Sequence, residues 1–151
     1  MKIAFGCDHA AIDIKNEIVK QLLKKGLEVS DFGCNDPAGC DYPDIARRVA
    51  ELVSSGKCEK GILLCGTGVG MSIAANKFPH VRAGVCWNDE VASLVAEHNN
   101  VNVLCLPARF AGLEDIMRWI GIWLSTPFSS NERHSRRVSK ISDIEKEVLG
   151  C

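Results

Sequence analysis

The sequence has no apolar run approaching the ~20 residues that a membrane-spanning helix requires. It has no surplus of either charge: 18 Lys+Arg stand against 19 Asp+Glu, a formal charge of −1. The first absence argues against a membrane partner. The second argues against a general nucleic-acid binder, which would carry a large basic excess. No internal repeat and no low-complexity tract interrupts the chain. A secretion signal is not apparent either, because Met1–Cys7 reads as a short strand that meets Asp8 and His9 directly. A cytoplasmic location is therefore expected. With 46% hydrophobic and 25% charged residues, the 151-residue chain is too apolar for disorder. Its length predicts a single domain over residues 1–151.

Eight cysteines are present, with no CxxC pair and no Cys/His ladder of zinc-finger spacing. Cys65, Cys86 and Cys105 fall in apolar strand-like runs, where a free thiol behaves as a small core residue. Without a secretion signal, most are expected to be reduced thiols. Cys34 and Cys40 can approach each other across a loop, but neither a metal nor a disulfide is expected there, and no cofactor is expected anywhere.

What the chain does contain is an alternation of short apolar runs with helical periodicities. Met1–Gly6, Leu27–Phe32, Gly61–Cys65, Val81–Cys86 and Val101–Leu106 read as strands. Between them, Ile14, Ile18, Val19, Leu22 and Leu23 form an amphipathic helix stripe that Gly26 ends. Further helices are predicted over Asp44–Ser55, around Ser72–Lys77 and over Glu90–Glu97. Leu113, Ile116, Met117 and Ile120 mark another, and Val138, Ile141, Ile144 and Val148 a tail helix. Gly33–Pro43 and Ser125–Glu132 are loops. Strands alternating with helices imply a parallel sheet covered on both faces. The predicted fold is α/β: a Rossmann-like, doubly wound, five-stranded parallel sheet in a three-layer α/β/α sandwich, with a C-terminal helix.

Ligands of such sheets bind beyond the carboxyl ends of the strands. That rule brings Cys7-Asp8-His9, Cys65-Gly66-Thr67-Gly68-Val69-Gly70 and the Arg109 region toward one crevice. The glycine run is the sharpest signal. Its spacing lets backbone N–H groups turn toward an anion, and the same partial charge favours a thiolate at Cys65. The plainer alternative is a tight strand-to-helix turn with a buried cysteine. A Walker loop is excluded because Met71 and Ser72 follow Gly70, and the dinucleotide fingerprint because the run is G-x-G-x-G in the third βα turn. A cysteine phosphatase would place arginine where Met71 stands, and no serine lies between glycines as in a nucleophile elbow.

Of the four histidines, His80 sits in a turn and reads as solvated. His9 ends the first strand, which favours a ligand contact. His98, with Asn99, lies where a helix meets the fifth strand; a helix C-cap is the plainer explanation. His134 belongs to Arg133-His134-Ser135-Arg136-Arg137, which on a neutral chain suits one phosphate better than a nucleic acid. Arg133 and Arg137 share a helix face, while Arg136 points elsewhere.

Taken in order, Asp8-His9, Asp41-Tyr42-Pro43, the Cys65–Gly70 run, Ser72–Lys77, His98-Asn99, Arg109 and Arg133-His134 through Arg137-Val138 resemble the type B ribose-5-phosphate isomerases. The wider family includes galactose-6-phosphate and allose-6-phosphate isomerases, and the cysteine run fits the ribose branch. The resemblance covers essentially the whole chain. It implies a metal-free aldose–ketose isomerisation of ribose 5-phosphate and ribulose 5-phosphate through a cis-enediolate. Cys65 would move the proton between C1 and C2, while His98, assisted by Thr67, would open the sugar ring. The amides of Gly66, Gly68, Val69 and Gly70 would hold the enediolate oxygen. His9, Arg133 and Arg137, with Arg109 near them, would hold the phosphate. Asp8, Tyr42 and Asn99 would contact sugar hydroxyls or the ring.

His98 ends a helix and precedes a strand, so parallel topology places it at the sheet edge opposite Cys65. That predicts a homodimer with shared sites, a tetramer being the next assembly. The sequence departs from the family's usual pattern at Ala11-Ile12-Asp13, Trp87, Leu106-Pro107-Ala108 and Asn131-Glu132. The remaining alternatives are another aldose phosphate (allose 6-phosphate or a four-carbon sugar phosphate), a non-catalytic sugar-phosphate-binding or flavin-binding module, and a thiol hydrolase.

Overall fold

A computed structural model describes residues 1–36 and 38–150. Its centre is one all-parallel sheet of five strands: β1 (Lys2–Cys7), β2 (Glu28–Asp31), β3 (Lys60–Cys65), β4 (Ala83–Val85) and β5 (Val103–Pro107). The spatial order is β2-β1-β3-β5-β4. β3 and β5 are buried along nearly their whole length, whereas β4 has three half-buried residues and takes an edge. Inserting β5 between β3 and β4 sets Cys65 in register with Pro107. The loop carrying Arg109 therefore starts beside the glycine run.

Five helices cover the sheet, α1 (Ile12–Lys24), α2 (Tyr42–Ser54), α3 (Val69–Ala75), α4 (Asp89–Glu97) and α5 (Leu113–Ser125), and α6 (Glu132–Leu149) follows them outside both core layers. A single 3-10 turn, His9–Ala11, links β1 to α1. Alternate strand residues face opposite layers. Ile3, Phe5, Ile62, Leu64, Leu104 and Leu106 pack under α1, α4 and α5. Ala4, Leu63, Cys65, Val103 and Cys105 pack under α2 and α3. The three-layer α/β/α sandwich expected from the sequence is thus the observed one. No helix among the described residues is long and apolar enough to cross a membrane.

Several boundaries move. α2 begins at Tyr42 instead of Asp44, because Pro43 sits in its first turn, where a missing N–H costs nothing. α3 begins at Val69, directly on the glycine run. β4 is shorter than the run Val81–Cys86 suggests. α6 is the most solvated helix. Asn131 caps it, its side chain accepting the Arg133 N–H at 3.1 Å. Ile141, Ile144 and Val148 remain exposed along a groove that Phe78 and Val81 also line.

One expectation is overturned. Cys34 and Cys40 form a disulfide, with Cα atoms 5.9 Å apart. The loop folds back on itself, the Gly39 N–H donating to the Asp36 carbonyl at 3.1 Å, and this brings the two residues within bonding reach. Cys7, Cys58, Cys65, Cys86 and Cys105 are free and buried. Cys151 lies outside the described residues.

Candidate active site

At the carboxyl edge of the sheet, four segments converge. Asp8 is buried, and its Oδ1 accepts the Ala10 N–H at 2.8 Å, capping the 3-10 turn that presents His9 to solvent. The Cys65 side chain is only 5% exposed, and its Sγ accepts the Gly68 N–H at 3.1 Å. Thr67 Oγ1 accepts the Val69 N–H at 3.3 Å. Gly68 makes this geometry possible. It has φ +78, and a Cβ there would lie 3.2 Å from the backbone of Cys105 and Leu106.

Gly70 has a different task. The Tyr42 ring lies 2.8 Å from where its Cβ would stand, so the absence of a side chain lets Tyr42 close over the turn. On the other side Arg109 lies across Gly66, with Cδ and Nε 3.2 and 3.3 Å from that glycine's Cβ position. The Arg109 N–H donates to the Gly66 carbonyl at 3.2 Å. The turn that carries Cys65 thus has an aromatic ring against Gly70, a guanidinium against Gly66 and the Gly68 N–H aimed at the sulfur.

Three other buried thiols belong to the sheet and its edge. Burial raises Cys7 and Cys86 to about 11 each, and Cys105 higher still, with Cys65 beside it as a second cause. These three stay protonated at neutral pH.

A second cluster lies at the opposite, amino edge. His98 is the C-cap of α4, as its plainer explanation has it, but it is not only a cap. Its ring meets that of His134, centroids 4.0 Å apart. Arg133 Nε donates to His134 Nε2 at 3.0 Å. Nε2 is then an acceptor, so the proton of this imidazole resides on Nδ1, which is buried without a partner among the described residues. Burial foremost, then the charges of His98, Arg133 and Arg137, holds the His134 pKa below its ordinary value. Asn99 is exposed beside them, at the rim of a groove reaching Ile141.

The candidate residues therefore fall into two groups. Asp8, His9, Tyr42, Cys65, Gly66, Thr67, Gly68, Val69, Gly70 and Arg109 share one edge. His98, Asn99, Arg133 and Arg137 share the other. Within a single chain Arg109 is not near Arg133 and Arg137, because α4 runs the full depth of the sheet between the strand ends it connects. His134 was not among the candidates.

The departures from the family pattern are absorbed locally. Asn131 supplies the α6 cap, Pro107 closes β5, Ala11 is buried and Trp87 is exposed. Among the described residues, no cluster of three or more His, Cys, Asp or Glu is placed to share a metal ion.

A family model described as Ribose/Galactose Isomerase matches residues 3–141. The chain belongs to that family. Ribose-5-phosphate isomerase B of Escherichia coli (strain K12) is 46% identical over 145 residues, covering 96% of this chain and 97% of the relative. D-erythrulose-4-phosphate isomerase of Pectobacterium atrosepticum is 42% identical over 149 residues, 97% of each. The solved structure of Clostridium thermocellum ribose-5-phosphate isomerase B superposes with a TM-score of 0.93 at 47% identity, over 98% of this chain and 99% of that one. As a member of the ribose/galactose isomerase family, this protein is a sugar-phosphate isomerase of the aldose–ketose type.

Proposed function

We propose that the protein interconverts ribose 5-phosphate and ribulose 5-phosphate through a cis-enediolate, with Cys65 as the acid/base. The observation that carries this reading is the placement of the Cys65 sulfur. It is buried, receives the Gly68 N–H at 3.1 Å, and lies in the turn flanked by Tyr42 and Arg109. The Gly68 N–H is placed to meet the sulfur when it acts as a base.

His98, assisted by Thr67, opens the furanose ring. The Cys65 thiolate then takes the C2 proton of the aldose, and the thiol returns it to C1. The hydroxyl proton on O2 passes to O1 in the same interconversion, which completes the ketose. Charge develops on oxygen in the enediolate, and the amides of Gly66, Gly68, Val69 and Gly70 meet it with preorganised donors. His9, Arg109, Arg133 and Arg137 hold the phosphate, and Asp8, Tyr42 and Asn99 meet sugar hydroxyls or the ring. No cofactor enters these steps.

His98, Arg133 and Arg137 stand at the edge opposite Cys65, so a second chain completes each pocket in a homodimer with two shared sites. The setting is one compact cytoplasmic domain. Mixing Cys65→Ala and His98→Ala subunits tests the reading. Each parent is inactive, and mixed dimers regain one intact site of two. Absence of recovery in verified mixed dimers rejects the shared pocket. Deuterium from solvent should also enter substrate carbon, which neither a binding module nor a thiol hydrolase would produce.

A second substrate has a specific argument in its favour. The relative named D-erythrulose-4-phosphate isomerase is 42% identical over 97% of the chain. Parallel rates with ribose 5-phosphate, allose 6-phosphate and erythrulose 4-phosphate decide between them.

A further inference from the structure

Three cysteines meet where β1 ends, and the isomerisation uses none of them. Cys34 extends the ladder of β2 along β1, its N–H donating to the Cys7 carbonyl at 2.7 Å. Cys40 is half-buried and immediately precedes Asp41 and Tyr42, where α2 starts. The bond between Cys34 and Cys40 therefore ties the end of the sheet to the start of α2.

The two anchorages are unequal. On the sheet side, the Gly33 carbonyl accepts from the buried Lys15 ammonium at 3.4 Å, and Lys15 pairs with Asp31 at 3.5 Å. A Cβ on Gly33 would stand 2.9 Å from Cys7 Sγ, so the chain there is closely packed. On the helix side, the Asp41 side chain makes no capping bond to α2. Tyr42 is 42% exposed, and its ring rests on Gly70. Ile45 and Ala46 anchor α2 within its first turn, and the disulfide is the covalent tie of the segment that leads into Tyr42.

We propose that Cys34–Cys40 is a thiol–disulfide exchange site: closed, it holds Tyr42 over the Cys65 turn; opened by a dithiol reductant, it frees Tyr42 and weakens substrate binding. The binding half of this rests on the place given to Tyr42 under the proposed function. A thiolate of the reductant attacks Cys40 Sγ, the more accessible sulfur, and the S–S bond breaks. Cys34 leaves as a thiolate and takes a proton. The second thiol of the reductant then attacks the mixed disulfide and releases Cys40. Two electrons and two protons have passed to the protein, and the reductant has become a disulfide.

Cys7 lies beside Cys34 but does not divert the exchange, because burial pushes its thiol up to about 11 and keeps it protonated. A short ring in a chain expected to meet reducing surroundings is a setting where a disulfide responds to redox state.

The test compares oxidised protein with protein reduced by dithiothreitol, counting alkylated thiols by mass spectrometry. Hydrogen exchange over residues 38–48 and KM for ribose 5-phosphate are the two readouts. Reduction should expose two further cysteines to alkylation, Cys34 and Cys40. Exchange in the first turn of α2 should quicken severalfold, and KM should rise roughly three- to tenfold as the pocket loses preorganisation. A C34S/C40S variant should match the reduced protein in both readouts and ignore dithiothreitol. Failure of the disulfide to form under oxidised glutathione, unchanged exchange, or exchange that quickens without a change in KM overturns the proposal. If neither redox form turns over any of the sugar phosphates, the isomerase reading has failed instead. The exchange rates alone then decide whether the bond controls Tyr42.

Discussion

The imidazoles of His98 and His134 lie 4.0 Å apart between ring centroids and are tilted by 42°. The contact joins the C-cap of α4 to the first turn of α6, and the Ser129 N–H reinforces it by donating to the Glu97 carbonyl at 2.9 Å. Because Arg133 donates to His134 Nε2, the pair is compatible with a neutral His134 and opposed to a charged one.

That opposition sets a pH dependence. The His134 pKa is held below its ordinary 6.5, chiefly by burial and then by His98, Arg133 and Arg137. The unfolded chain therefore binds this proton before the folded chain does. Stability from the site is complete above pH 6.5, declines as pH falls below it, and levels off once folded His134 is also protonated. Thermal melts from pH 7.5 to 5 should fall more steeply for the wild type than for His134→Gln. Parallel curves would mean that this histidine is not the group responsible.

Ring opening can be separated from proton transfer by choice of substrate. A four-carbon aldose phosphorylated at O4 has no hydroxyl left to close a furanose, so it reaches the site already open. His98→Ala should lower turnover of ribose 5-phosphate by roughly 10²–10⁴-fold, the usual worth of a general acid or base. Erythrose 4-phosphate should lose about tenfold or less, since it bypasses that step. Equal losses on both would assign His98 to phosphate or hydroxyl binding.

The turn itself is testable through its backbone. Gly68→Ala places a Cβ at φ +78 and 3.2 Å from the backbone of β5. The left-handed conformation alone costs about 1–2 kcal/mol in a non-glycine residue. Urea denaturation should register at least that loss. Turnover should fall further than stability requires, because the N–H that Gly68 gives to Cys65 would shift with it.

At the far edge, Arg137→Ala removes a charged donor from the proposed phosphate cluster. A charge-assisted hydrogen bond contributes about 1.5–3 kcal/mol, or roughly 10- to 150-fold in KM. Maximal turnover should change little. Isothermal titration with a non-reacting sugar-phosphate analogue measures the binding part directly, and an unchanged affinity would remove Arg137 from the pocket.

Much of the architecture was legible because an all-parallel sheet writes itself as uninterrupted apolar runs. Gly61–Cys65 and Val103–Leu106 are buried on both faces, and nothing polar blurs them. The thiol turn was legible because its glycines are spaced for a backbone that must approach sulfur, ring and neighbouring strand together. The separation of His98 from Cys65 followed from strand direction alone.

The positions of Arg133 and Arg137 did not, since α6 is reached through a polar loop whose path no periodicity records. The Cys34–Cys40 bond was missed because spacing between cysteines says nothing of how a loop folds back. The burial of His134 was missed because a histidine beside three arginines reads as part of a phosphate cluster, and α6 is otherwise solvated.

The distance between the two edges has a consequence for how such a protein behaves at low abundance. A pocket assembled from two chains exists only while they are associated, so its population follows mass action. In the proposed homodimer, once protein falls below the dissociation constant of the pair, the rate per chain should decline with further dilution. Output would then scale with the square of protomer concentration, giving the cell a threshold that a self-contained pocket lacks.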